Sequence, residues 1–90
     1  MIELQAIIKG KVQGVRYRDY IQVSAMELGL FGYTKNNSDG SVFVLAQGAP
    51  DILKSLVEHL HEGSVLATVE SVSVDWATAG VTYDDFSVLQ

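Results

Sequence analysis

Apolar and polar residues alternate at the start of the chain, which predicts a β-strand with one buried face. The even positions of this strand are apolar and hold Ile2, Leu4, Ala6 and Ile8. We expect the strand to end at about Lys9. Further along the chain, apolar residues recur at the spacing of a helix: Tyr17, Ile21, Ala25 and Leu28. Gly29 is placed to end this helix in a left-handed turn, so we predict a first helix over about residues 19 to 28.

Two β-rich runs, FGYTKN and SVFVLAQG, are joined by the turn dipeptide Asp39-Gly40. An Asp-Gly pair between such runs predicts a hairpin of two antiparallel strands. A second helix is predicted to follow. Pro50 suits its first turn, Asp51 favours the positive end of its dipole, and an apolar stripe continues to about Gly63. The stripe consists of Ile52, Leu53, Leu56, Val57 and Leu60.

Period-two alternation returns in the last third of the chain. TVESVSVDW alternates Val72, Val74 and Trp76 with polar residues, and Phe86 and Val88 share one side of a short final strand. The order of elements is typical of the α+β split β-α-β fold called ferredoxin-like: βαββαβ plus a short C-terminal strand, with two helices on one face of an antiparallel sheet. A chain of 90 residues suffices for one such core, so we expect a single domain over residues 1–90.

The composition is that of an ordinary globular protein, with 48% hydrophobic residues, 19% charged residues and no cysteine. The lack of cysteine excludes disulfides and thiolate chemistry and is compatible with a reducing compartment. The N-terminal MIELQAIIKG has an acid at its third position and no long apolar core, so it predicts neither a secretory signal nor a membrane span. We therefore expect a soluble, cytoplasmic protein that does not associate with membranes.

Positive charge is concentrated in one short segment. The chain has six Lys and Arg against eleven Asp and Glu, a net charge of -5, yet Lys9, Lys11, Arg16 and Arg18 lie together in KGKVQGVRYRDY. An otherwise acidic surface repels nucleic acids and acidic membranes. A single cationic focus on that surface favours a compact anion as the ligand.

Two glycines and the start of a helix accompany these cations. Gly10 and Gly14 permit positive φ angles, with which a turn can point successive amide N–H groups at one oxyanion, and the helix N-terminus adds further free N–H groups. Arg18 would add a planar guanidinium that binds two phosphate oxygens. The alternative is purely structural: the glycines let a strand turn into a helix, and Arg18 is a surface residue balanced by Asp19.

GKVQGVRYR, residues 10–18, resembles the signature of the acylphosphatase family, and LGLFGYTKNNSDGSV resembles the second block of that family. The resemblance is good over residues 4–48, whereas the last third has no comparably specific motif. It implies metal-independent hydrolysis of the carboxyl-phosphate bond of small acyl phosphates, with no cofactor. The essential arginine and asparagine of the family match Arg18 and Asn36. The phosphate-binding loop matches Gly10, Lys11, Val12, Gln13, Gly14, Val15, Arg16 and Tyr17.

The implied chemistry needs few groups. An acyl phosphate reacts through a loose transition state and releases a weakly basic carboxylate, so no general acid is required. Arg18 and the loop amides would neutralise charge on the phosphate, and the Asn36 amide would hold a water in line with the scissile bond. Neither block supplies a conventional base, so we expect a phosphate oxygen of the substrate to take the proton of the water. Asn37, nearer the turn, is the better candidate for a turn former.

The chain departs from the family pattern at three positions. Tyr33 and Thr34 stand where the family often has tryptophan and valine, and Arg16 fills a variable position that is often small or apolar. None of these changes affects the two polar residues that the motifs match. Arg16 could add charge to the site or point to solvent, and we favour solvent because the family does not need a cation there.

Other polar pairs have unsuitable spacing for chemistry. His59 and His61 are two apart on a helix and cannot chelate one metal ion there. Asp84 and Asp85 are adjacent and would point to opposite faces of a strand. The aromatic residues that we expect in the core or at its rim are Tyr20, Tyr33 and Trp76. The acids among them disfavour an RNA-binding sheet.

Two hypotheses from other classes stay open: a non-catalytic anion-sensing module that kept the loop, and a small nucleic-acid binder with the same fold, which the charge disfavours. An acylphosphatase-like segment also occurs at the front of the large carbamoyl-transfer protein of hydrogenase maturation. The ligands that the resemblance implies are a small-molecule acyl phosphate and simple anions such as phosphate or sulfate, and it suggests a monomer.

Overall fold

Five strands and two helices follow one another along residues 1–89, the part of the chain that the computed structural model describes. The elements are β1 (Ile2–Lys11), α1 (Tyr17–Glu27), β2 (Phe31–Asn36), β3 (Val42–Gly48), α2 (Pro50–Glu62), β4 (Thr68–Thr78) and β5 (Phe86–Leu89). This order confirms the predicted ferredoxin-like fold. β1 continues past its predicted end at Lys9 because a β-bulge accommodates Gly10 within the strand. α1 begins at Tyr17, two residues before its predicted start.

The strands form one sheet in the order β4-β1-β3-β2-β5. β1 pairs antiparallel with both β3 and β4, and β2 pairs antiparallel with β3. The predicted antiparallel sheet therefore holds for these four strands. β5 differs because it runs parallel to β2, with Lys35 opposite Leu89. The sheet is thus mixed.

The parallel pairing follows from the path of the chain. β4 lies at one edge of the sheet and β5 at the other, so residues 79–85 cross the end of the sheet between them. Gln47 of β3 holds this crossing, because its side chain donates to the carbonyl of Val81 and accepts from the amide of Tyr83. After the crossing the chain can only run back in the direction of β2. Leu89 thereby arrives beside the end of β2.

Both helices cover the same face of the sheet, as predicted. The fully buried side chains that meet there include Leu4 and Ile8 from β1, Ile21 from α1 and Leu53, Leu56 and Leu60 from α2. Burial of such side chains contributes about 1.5 to 3 kcal/mol each to folding. This core fixes the N-terminus of α1 against the end of β1, which is where the clustered cations of the sequence lie.

The edge strand β4 is only partly covered. Its inner-facing Val72 and Val74 are half-buried and pack against the core, whereas Trp76 is exposed. No helix within residues 1–89 is both long enough and apolar enough to cross a membrane.

Candidate functional site

The loop of residues 12–16 connects β1 to α1 and has alternating backbone handedness. Gly14 has φ of 73°, and Arg16 has φ of 62° and ψ of 23°. Arg16 is the one non-glycine residue with positive φ within residues 1–89. Positive φ angles that alternate with negative ones turn successive amide N–H groups toward one side, which creates a concave anion-binding surface. An arginine in this conformation costs about 1 to 2 kcal/mol, so the rest of the structure must hold it there.

From Gly14 onward, the amides of this loop and of the start of α1 have no acceptor within residues 1–89. Among the hydrogen bonds of residues 1–89, none is donated by a backbone amide from Gly14 to Asp19, and the first bonded amide of α1 is Tyr20, which donates to the Arg16 carbonyl at 3.1 Å. No side chain caps the helix either. Most of these residues also line a cavity of about 240 Å³, which is bounded by Gly14, Arg16, Tyr17, Arg18 and Asp19. A set of free amides at the positive end of a helix dipole is a binding site for an anion.

Two side chains of the loop and the first side chain of α1 anchor this segment in the core. Val12, Val15 and Tyr17 are buried, and the Tyr17 hydroxyl donates to the carbonyl of Leu60 at 2.6 Å. Burial, with a smaller contribution from Tyr20, raises the pKa of the Tyr17 phenol, which therefore stays neutral. Tyr17 can therefore donate a hydrogen bond to an anion only from its backbone amide.

Gln13 joins the loop to the hairpin between β2 and β3. Its Nε2 donates to the carbonyls of Asn37 at 2.8 Å and Ser41 at 2.9 Å. The hairpin is itself closed by Asn37, whose amide donates to the Ser41 carbonyl and whose side chain donates to the Ser41 hydroxyl. Asn37 therefore acts in the turn, and Gln13 fixes the distance between the loop and the end of β2.

Gly10 and Lys11 lie in β1 rather than in the loop. Gly10 has φ of 130° and sits at the bulge against β4, where an added Cβ would lie 2.1 Å from the Thr68 carbonyl oxygen. Glycine is required here because two backbones approach closely. The turn that we expected from two glycines is made instead by Gly14 together with Arg16, whose side chain is exposed.

Arg18 lies in the first turn of α1 and reaches the end of β5. Its half-buried side chain donates from Nη1 to the Leu89 carbonyl at 2.5 Å. Leu89 pairs with Lys35, the neighbour of Asn36 in β2. The parallel strand thus brings Arg18 and Asn36 to the same end of the sheet. The sequence contains no signal for this contact, because it depends on the pairing of β5.

Asn36 is the last residue of β2 and pairs with Val42. Its Oδ1 is buried and has no hydrogen-bond partner among residues 1–89. An unsatisfied buried amide oxygen costs about 1 to 3 kcal/mol, and such groups in proteins commonly bind an ordered water or a ligand. The side chain therefore offers a fixed acceptor beside the loop.

The other polar candidates do not form a site. His59 packs near Tyr20 while His61 is exposed, and no group of three His, Cys, Asp or Glu side chains within residues 1–89 is arranged to hold a metal ion. Asp84 and Asp85 lie in the segment before β5, not in a strand as we expected, because β5 begins only at Phe86.

Comparisons with known proteins agree with this geometry. A model of the acylphosphatase family matches residues 4–88. A curated acylphosphatase of Thermus thermophilus is 49% identical over 76 residues, which are 84% of this chain and 86% of that protein. One of Salinibacter ruber is 44% identical over 85 residues, covering 94% and 90% of the two chains. The crystal structure of an acylphosphatase from Bacillus subtilis superposes with a TM-score of 0.96 at 34% identity and covers all of both chains.

Proposed function

The chain belongs to the acylphosphatase family and is a hydrolase of acyl phosphates, and we propose that the reaction takes place on the loop between β1 and α1. In this proposal the free amides from Gly14 to Asp19 and the guanidinium of Arg18 bind the phosphate group. Asn36 orients the attacking water. The loop is held to the hairpin by Gln13 and anchored in the core by Val12 and Val15.

The observation that carries the proposal is the run of amides without acceptors around two residues of positive φ, in a segment that lines one cavity together with Arg18. A tetrahedral anion satisfies several of these donors at once, because its oxygens are spaced to meet successive N–H groups. The free amides of Tyr17, Arg18 and Asp19 are those of any uncapped helix N-terminus. A purely structural turn from strand to helix would need neither the strained Arg16 nor the additional unpaired donors from Gly14 to Arg16. A bound anion accepts hydrogen bonds from these donors, and this binding offsets both the strain at Arg16 and the cost of the unpaired amides.

The geometry suits phosphoryl transfer to water. In a loose transition state, charge spreads over the phosphoryl oxygens, where each well-aimed donor in a comparable oxyanion site contributes about 3 to 4 kcal/mol. The bond from the water oxygen to phosphorus forms as the bond from phosphorus to the acyl oxygen breaks, which yields a carboxylate and inorganic phosphate. The carboxylate is a weak base and leaves without a proton from the protein.

The water is positioned rather than deprotonated by the protein. The unpartnered Oδ1 of Asn36 accepts a hydrogen bond from it, and an amide has no proton to lose or gain near neutral pH. The Tyr17 phenol stays neutral in the core and donates a hydrogen bond to the Leu60 carbonyl, so it does not act as a base. The proton of the water therefore passes to a phosphate oxygen of the substrate. The enzyme acts as a cytoplasmic monomer in this proposal and uses no metal.

Turnover in the presence of a chelator tests the proposal. The purified protein should hydrolyse benzoyl phosphate at the same rate with EDTA and without it, because the amides and Arg18 supply the positive charge that a metal would otherwise provide. Inorganic phosphate should inhibit competitively. Loss of activity in EDTA with recovery on addition of Mg²⁺ would contradict it, and phosphate binding without any turnover would instead support a non-catalytic anion-sensing module.

A further inference from the structure

An apolar groove of about 320 Å³ lies directly beside the anion cavity. Its outer wall is the segment 64–66, where Val65 and Leu66 are exposed, and its inner wall is formed by Val15 and by Val23 of α1. Exposed apolar side chains that face one another across a concave surface are typical of sites for apolar ligands.

The groove and the anion cavity are adjacent. Arg16 and Asp19 line both of them. The outer wall is also fixed to the anion loop, because the Ser64 hydroxyl donates to the carbonyl of Val15 at 3.2 Å. In an acyl phosphate a single oxygen joins the phosphorus to the acyl carbon, so the acyl group of a bound substrate must lie immediately beside the phosphate.

The strand order places the groove on the correct side for the reaction. Segment 64–66 leads into β4, which neighbours β1 on one side, whereas Asn36 ends β2, which lies on the other side of β1 beyond β3. The anion loop leaves the end of β1 and therefore lies between them. In-line displacement requires the attacking water and the leaving group on opposite sides of phosphorus. A water at Asn36 directs the leaving acyl group toward the groove.

We infer that this groove is an acyl-group subsite and that the enzyme prefers acyl phosphates with an uncharged aromatic or branched aliphatic acyl group. The inference rests on the function proposed above. Val65 and Leu66 contact the acyl group, and their apolar side chains offer no hydrogen bond to a second carboxylate on it. Acetyl phosphate is too small to reach the outer wall, so its hydrolysis reports on the phosphate site alone.

A double substitution in the outer wall tests the subsite. Val65→Ser with Leu66→Ser should lower kcat/KM for benzoyl phosphate by about tenfold, which is the size of effect that loss of apolar contacts in a specificity pocket produces. The value for acetyl phosphate should stay within about twofold of wild type. Val65 and Leu66 are exposed, so the fold should be unaffected.

The matched control is Met26→Ser with Val81→Ser, which removes two apolar side chains of similar exposure, 63% and 67%, outside the groove. It should leave the benzoyl-to-acetyl ratio unchanged. An unchanged ratio in the Val65 and Leu66 double variant, with acetyl phosphate still hydrolysed, would overturn the subsite alone. A wild-type protein that hydrolyses neither substrate would overturn both the subsite and the proposed function.

Discussion

Replacement of Arg18 by alanine is expected to lower kcat/KM for benzoyl phosphate by about 10³-fold. A guanidinium beside a transferring phosphoryl group binds two of its oxygens and stabilises charge in the transition state, and loss of such an arginine costs about 10³-fold to 10⁵-fold in comparable reactions. The Ala variant also loses the hydrogen bond to the Leu89 carbonyl. That bond contributes about 0.5 to 1.5 kcal/mol to stability. The variant should therefore remain folded at 25 °C.

Two further variants separate the role of Arg18 from general charge. Arg18→Lys should recover only part of the activity, because an ammonium cannot make the planar two-point contact. Arg16→Asn removes an exposed charge from the same loop with a residue that tolerates positive φ, and we expect it to cost no more than about tenfold. Steady-state kinetics measure kcat/KM for each variant, and circular dichroism checks that each variant is folded. Equal losses in the Arg16 and Arg18 variants would show that only the net charge of the loop matters.

Replacement of Asn36 by alanine is expected to lower kcat by about 10²-fold while leaving the affinity for inorganic phosphate within about twofold. In the proposed mechanism, the unpartnered Oδ1 of Asn36 orients the water and does not hold the phosphate. Misplacement of a reacting group by about 1 Å costs roughly 10²-fold. Kinetics with benzoyl phosphate and competition by phosphate measure the two quantities separately.

Asn37 supplies the matched control for this substitution. Asn37→Ala removes an amide from the adjacent position, where it bonds to Ser41 in the hairpin. We expect a loss of about 0.5 to 1.5 kcal/mol in the free energy of unfolding and a small change in kcat. If Asn36→Ala weakened phosphate binding as much as it lowered kcat, Asn36 would be a phosphate ligand and the water would need another partner.

The architecture could be predicted because each element carries its own periodicity. Alternation identified β1 and β4, helical spacing identified α1 and α2, and the Asp39-Gly40 turn identified the hairpin. The parallel pairing of β5 could not be predicted, because the strand pattern is the same for either direction. It depends on how residues 79–85 cross the sheet, which Gln47 determines through contacts far apart in sequence.

The candidate site was predictable to a similar degree. Arg18 and Asn36 were identified from two motif blocks, and the structure brings them to one end of the sheet. The backbone conformation of the loop could not be predicted. Arg16 takes a conformation that local preference would assign to glycine, while Gly10 is needed for a close contact with β4. The double contact of Gln13 with the hairpin likewise has no signal in local sequence.

A titration of the ¹⁵N-labelled protein with inorganic phosphate, followed by amide NMR shifts, tests the central claim most directly. The account predicts saturable shifts that are largest for the amides from Gly14 to Asp19, since these donors have no acceptor within the described chain. The shifts should saturate at much higher phosphate in Arg18→Ala. Saturable binding with the largest shifts elsewhere, or no response of these amides when phosphate inhibits turnover, would contradict it.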